Sequence, residues 1–199
     1  MAMAKRRIDT REENRARLIS AARKAFAARG FAAASMDELT ADAGLTRGAL
    51  YHNFSDKKGL LAAVVAQIDG EMAARAKEAG VAAGDDWEGL LAESEAYIEM
   101  ALDPEVQRIV LLDGPAFLGD PSRWPSQNAC LQVTKQTIAG LVSEHVLKPV
   151  DIEAAARLLS GAALNAALWV AASDDPRSAL PKAIDAFRLM AAGLLAEQN

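Results

Sequence analysis

The chain has 199 residues, 51% of them hydrophobic and 25% charged, with a formal net charge of -5. This length suits one ordinary domain or two small ones, and the apolar share excludes a chain disordered throughout. One cysteine, Cys130, excludes a disulfide scaffold, and two His with one Cys cannot furnish a tetrahedral metal site, so neither metal nor cofactor is expected. Alanine, the strongest helix former, dominates, and aromatics make up only 5%, which points to an all-α chain.

Residues 1–7 lack the apolar run of about 7–15 residues that a signal peptide needs, so a cytoplasmic location is expected. The most apolar stretch, 154–172, approaches spanning length but contains Arg157, Ser160 and Asn165. Charge is costly against lipid, so this segment is expected to be a helix packed against protein, with no membrane partner. Charge is also divided along the chain. Residues 1–60 hold 12 Lys+Arg against 7 Asp+Glu, whereas 61–199 hold 10 against 20. A basic head on an acidic body points to a polyanion partner for the head alone; a merely solvated charge run is the plainer alternative.

Thr10-Arg11-Glu12-Glu13 fits a capping box, and Leu18, Ile19, Ala22, Ala25 and Phe26 recur at helical spacing. The pattern predicts an amphipathic helix over 11–29 that Gly30 ends. Ser35-Met36-Asp37-Glu38 opens a second, short helix with Met36, Leu39 and Ala43 inward, which Gly44 stops. Thr46 then caps a third over 47–53. Ser55 or Asp56 caps a long fourth helix carrying Leu60, Leu61, Val64, Val65 and Ile68. Two short helices joined by a glycine turn form a helix-turn-helix. Further on, Gly80 and Gly84 bracket a hinge-like stretch, and Asp85 or Asp86 starts a helix. Asp103-Pro104 caps the next, while Asp113-Gly114-Pro115 and Gly119-Asp120-Pro121 break the pattern. Long helices are predicted from 125 to 146, over 152–173, and from Asp175-Pro176 to near Glu197.

A helix-turn-helix sets its second helix in the DNA major groove. Arg47 can offer guanine a fork of donors, Thr46 can bond a base or a phosphate, and Ala49 can pack on a thymine methyl. Gly48 permits close approach. Tyr51 and His52 are placed for phosphate oxygens, as is Lys57 at the start of the fourth helix. Ser35 can orient the free N–H groups of its helix, and Lys5-Arg6-Arg7 suits a disordered arm along the duplex. Tyr51 as a core edge, His52 as a plain surface residue and Lys57-Lys58 as an ordinary charged helix start are the alternatives. Leu45, Leu50 and Phe54 are expected to be core.

The span from Arg15 to Leu61 resembles the DNA-binding domain of TetR/AcrR-type transcriptional regulators. The likeness rests on Ala21-Ala22 to Phe26, Arg29-Gly30-Phe31, Ser35-Met36, Ala43 through Phe54, and Lys57-Lys58-Gly59-Leu60-Leu61. Gly59, early in the fourth helix, is the one mild departure. The resemblance implies about nine helices, a homodimer, a DNA-binding head (1–60) and a helical body (61–199) for dimerisation and a small-molecule effector. It also implies phosphate contacts at Tyr51, His52 and Lys57, and base contacts at Thr46, Arg47 and Gly48 or Ala49. The segment from Val106 to Ala116 resembles, more weakly, a stretch in a subgroup of these regulators.

In the body, Leu158, Leu159, Ala162, Ala166 and Trp169, with Phe187, Met190 and Leu194 on the last helix, form apolar stripes suited to a two-fold four-helix interface. Packing within one chain is the alternative. Trp87, Leu91, Ile98, Val110, Phe117, Trp124 and Leu131 can wall a pocket for a mainly apolar effector. Tyr97, Asn128, Gln132 and His145 are its polar anchors. No phosphate loop, Gly-x-Ser-x-Gly elbow or His-Glu-x-x-His occurs, so no enzyme is expected. A helical protein-interaction module is the remaining alternative, and it leaves the basic head unexplained. Double-stranded operator DNA, a second copy of the chain and an unidentified effector are the expected partners of a regulator that acts as a repressor.

Overall fold

In the computed structural model the described residues are 2–84 and 86–197, with side chains from Thr10 onward. They form nine α-helices. The first is α1 (Ala2–Ala33), whose backbone starts well before the capping box expected at Thr10. Residues 10–13 therefore sit inside a helix instead of opening one. The side chains of Lys5, Arg6 and Arg7 lie outside the described residues. Gly30 breaks α1 locally at φ 79°, ψ 163°, which turns Phe31 back into the core, where it stacks edge-on against Phe26 at 5.5 Å.

The three helices that follow α1 each have a side-chain cap. Ser35 and Glu38 exchange bonds in a capping box at α2 (Met36–Asp42). Thr46 accepts from Ala49 N–H at α3 (Arg47–Asn53), and Asp56 accepts from Gly59 N–H at α4 (Lys57–Ala83). Gly44, at φ 61°, makes the turn between α2 and α3, where the Arg17 guanidinium donates to its carbonyl. Leu39, Leu50, Phe54 and Leu60, all buried, close the head core with Leu18 and Phe26 of α1.

α4 runs unbroken through Gly80, so the expected hinge is absent. Gly84, left-handed at φ 93°, ends it. α5 (Asp86–Glu99) packs on α4. After a short turn the chain from Pro104 to Leu118 is one continuous helix: Val106–Asp113 is wound as a π-helix that passes directly into α6 (Gly114–Leu118). The expected break at Asp113-Gly114-Pro115 does not occur. The wide turn, with Gly114 N–H bonded to the Ile109 carbonyl, leaves room for the Pro115 ring that a regular α-turn would crowd. α7 (Pro125–Ser143), α8 (Ile152–Ala172) and α9 (Pro176–Ala192) complete the body. α8 is apolar and long enough to span a membrane by length and composition; here it packs against α5, α7 and α9. Residues 193–197 leave the last helix earlier than expected and bridge back to Leu147, with Lys148 N–H donating to the Leu194 carbonyl.

Head and body meet at a polar clamp. The Asp113 carboxylate accepts the Phe31 N–H at 2.7 Å and pairs with Arg108 at 3.4 Å. Arg108 also lies across Gly30, so that a Cβ there would fall 1.9 Å from its guanidinium. Phe117 of α6 stacks on Phe31 with ring centres 4.5 Å apart. Beside this, Arg23 of α1 holds Glu71 of α4 and Glu105 together, at 2.6–2.7 Å.

Gly30→Ala is expected to cost about 1–3 kcal/mol, because it combines a strained φ with a collision. Gly140→Ala, in open helical space, is expected to gain about 0.5–1 kcal/mol. Urea unfolding of both variants checks this. Arg23 also holds the Glu71 carboxyl below the usual glutamate range. A native pKa below the unfolded one adds stability that is complete above the unfolded value, about 4.3 for glutamate, and is lost as pH falls through the native value. Unfolding followed from about pH 6 to pH 3 is expected to show that acid-limb loss, and Arg23→Leu to remove the Glu71 part of it.

Candidate nucleic-acid interface

α3 presents one face to solvent and anchors the other. Leu50 is fully buried and Phe54 nearly so, with the Arg15 guanidinium 4.6 Å above the Phe54 ring. Asn53 donates back to the Ala49 carbonyl, so the end of the short helix is pinned from inside. The opposite face carries Thr46, Arg47, Gly48, Tyr51 and His52, all exposed, with Ala49 half-buried. Tyr51 keeps 48% of its surface, a large apolar area to leave uncovered. Arg47 leans over the Tyr51 ring at 6.0 Å and pairs with Asp37 of α2 at 3.4 Å. This pre-sets the guanidinium at the tip of α3 while leaving it in solvent.

Gly48 is informative because the fold does not require it. A Cβ there would meet only the Thr46 hydroxyl, at 3.9 Å. The surface of α3 is therefore flat at that point. Ser35 spends its hydroxyl on the α2 cap and leaves the first-turn N–H groups of a short helix beside α3. Lys57 is less free than expected: its ammonium donates to the Ala32 carbonyl at 3.2 Å and lies 4.5 Å from the Phe31 ring. Burial there pushes it below the usual lysine range, with Asp113 acting in the other direction. Lys57 thus joins the recognition head to the clamp, while Lys58 beside it is exposed.

In the body, Trp87, Leu91, Ile98, Val110, Trp124 and Leu131 are all buried, while Phe117 is half-buried with its ring against Phe31. Asn128, Gln132 and His145 are exposed, and His145 sits in the loop after α7. Among the expected polar anchors only Tyr97 turns inward, its hydroxyl enclosed beside Gln127. Sequence reasoning missed Asp69, 4% exposed, which accepts from Ser126 and Gln127 of α7. The signal was available: Asp69 continues the inward spacing of Leu61, Val65, Met72 and Ala76. On the outer face of α8 and α9, Leu158 (74% exposed), Trp169 (50%) and Met190 (51%) are uncovered, as is Leu189 (79%). Ala162 and Ala166 are half-buried between them. Leu159 and Phe187, expected on that face, are buried in the chain's own core, because the inward stripe of each helix takes them. Leu194 lies beyond the end of α9 in the tail that pairs with the 146–148 loop.

The family described as "Bacterial regulatory proteins, tetR family" matches residues 18–64, and "Tetracyclin repressor-like, C-terminal domain" matches 87–194. A TetR-family transcriptional regulator from Pectobacterium atrosepticum superimposes with a TM-score of 0.87 at 47% identity, over 96% of this chain and 98% of that one. RolR, solved with the ligand resorcinol, shares the fold at a TM-score of 0.69 and 20% identity, over 96% of this chain and all of that one. The transcriptional repressor AcnR of Corynebacterium glutamicum is 29% identical over 109 residues, 55% of this chain and 56% of its own length. With a capped helix-turn-helix head, an all-helical body and these matches across both, the chain belongs to the TetR family of bacterial transcriptional regulators.

Proposed function

We propose that this regulator is a repressor that binds a palindromic operator as a homodimer through α3 and is released by a small, mainly apolar effector held in its body. The observation that carries the reading is the outer face of α3: Thr46, Arg47, Gly48, Tyr51 and His52 stand in solvent on a helix whose other side is locked by Leu50 and Phe54. In that role Arg47 addresses a guanine edge and Thr46 a base or phosphate. Gly48 and Ala49 let the helix sit close, and Tyr51 and His52 meet phosphates. Ser35 contributes through the N–H groups its cap orients, and Lys57 through a phosphate that draws its ammonium away from Phe31. RolR with resorcinol and AcnR as a repressor lend the effector and repression parts support by relationship.

One short helix reads few base pairs, so specificity asks for two heads on paired half-sites. Leu158, Trp169 and Met190, with Ala162 and Ala166 allowing close approach, supply the apolar surface for the second copy. The effector site lies in the body near Trp87, Leu91, Ile98, Val110, Trp124 and Leu131. Coupling to DNA then runs through α4 and the clamp on Phe31, and is reciprocal, on the order of 1–3 kcal/mol.

Selection of bound fragments from a random duplex pool is expected to return a palindrome; recovery of no enriched sequence counts against the reading. Against that palindrome, Arg47→Ala is expected to relax sequence preference by about 1–3 kcal/mol at one position. Lys57→Ala is expected to weaken all duplexes alike and flatten the salt dependence by about one unit of slope. Equal effects of both on specific and random DNA contradict the assigned roles. Leu158→Glu with Trp169→Glu is expected to give a folded monomer in sedimentation that has lost operator affinity.

A further inference from the structure

A groove of about 610 Å³ lies on the head between α1 and the end of α2, within the range of about 300–1,000 Å³ usual for small-molecule sites. One wall is the face of α1 that carries Arg17, Ser20 and Lys24, and the other carries Asp42 and the Gly44 turn. Between them the floor is apolar, made by buried Ala21 and Ala43 with Ala41 beside them. The groove stays open because α1 and α2 meet inward over Leu18, Phe26 and Leu39 and set small residues where they part at the surface.

The fold makes little use of the charges that line it. Arg23, Arg29 and Arg47, elsewhere on the head, each have a carboxylate partner. Lys24 and Asp42 stand on opposite walls of the groove with no ion pair between them, and neither is paired with another described residue. Arg17 spends a donor on the Gly44 carbonyl, at 3.3 Å, and its planar fork has others left. The end of α2 lies on the same wall as Asp42, and the carbonyl end of a helix is electronegative. The groove is therefore polarised across its width, with donors and positive charge along α1 and acceptors and negative charge at the end of α2.

We propose that this groove binds a small zwitterion, its carboxylate against Lys24 and Arg17, its ammonium against Asp42 and its apolar middle over Ala21 and Ala41. The Ser20 hydroxyl, between the two cations on the same helix face, donates to the carboxylate. A carboxylate only accepts and an ammonium only donates, so a molecule with both satisfies both walls. A simple anion is opposed by Asp42, and a simple cation by Lys24. The two charges come from a free amino-acid-like molecule or from the ends of a short peptide. Arg17 also holds the Gly44 carbonyl, so an occupant that draws on Arg17 acts on the turn that leads into α3. The site lies in the head and does not depend on the effector reading of the body.

Calorimetry on the full-length protein at low ionic strength, where exposed charges are least screened, compares trialanine with its N-acetyl form and with its amide. Trialanine is expected to bind several-fold more tightly than either blocked form. Asp42→Asn is expected to erase its advantage over the acetylated peptide, and Lys24→Ala to narrow its advantage over the amide. Both side chains are exposed, so both variants keep the fold. Ala41→Trp, at an exposed position on the groove, is expected to abolish binding of all three. The probe 6-aminohexanoate, with the same two charges and no peptide bond, tells the sources apart: affinity equal to trialanine's assigns the site to free zwitterions, and much weaker affinity assigns it to peptide ends. Trialanine binding no better than a blocked form, no binding at millimolar concentration, or an advantage that survives both charge changes overturns the site. It is overturned as well if no peptide binds while Lys24→Ala weakens affinity for random duplex DNA, because the groove is then a phosphate contact. The peptide titrations need no DNA, so failure of the operator reading leaves their result untouched.

Discussion

A hydrogen bond from the backbone to a carboxylate anchors the joint between the two halves of this protein. Phe31 N–H, freed because Gly30 turns the chain out of helical geometry, donates to the Asp113 carboxylate across the boundary between head and body. Arg108 lies over Gly30 and balances Asp113, Phe117 covers the Phe31 ring, and Lys57 caps its other neighbourhood. The glycine is needed twice over here, for its positive φ and for the space the guanidinium fills. A carboxylate receiving a buried N–H is directional, so the head has one preferred seat on the body and not a range of them.

The π-helix gives that seat its particular character. Its eight residues, Val106–Asp113, carry both Arg108 and Asp113, and α6 continues it to Phe117. A π-wound segment is a rare and less stable conformation than an α-helix of the same length, and rewinding it by one residue would rotate every side chain downstream. The clamp on the head therefore hangs on a π-wound segment. The same element packs on α4 and α8, so it borders the interior of the body from which α4 departs toward α3.

Much of this was legible from residues alone, and what was not follows a pattern. Ser35, Thr46, Asp56 and Asp175 cap helices as their local sequences suggest, since a cap is settled within about four residues. Leu50, Phe54 and the exposed α3 face follow from helical spacing in the same way. The misses needed information from elsewhere in the chain. Thr10 looks like a cap but lies in a helix already begun. Asp113-Gly114-Pro115 looks like a break, but a wide turn accommodates the proline. Leu159 and Phe187 belong to stripes broad enough to face either way, and the rest of the body decides which side each takes. Asp69 was overlooked because a carboxylate in an apolar stripe reads as an interruption until Ser126 and Gln127, more than fifty residues on, are seen to meet it.

The charge division acquires a physical sense from these placements. Basic side chains of the head that are not spoken for by caps or the clamp, such as Arg47 and Lys58, stay in solvent, where a polyanion can meet them. Arg23, by contrast, is consumed by Glu71 and Glu105 at the seam between the halves. An acidic body repels a polyanion, which leaves the basic head as the part of this chain whose charge attracts one.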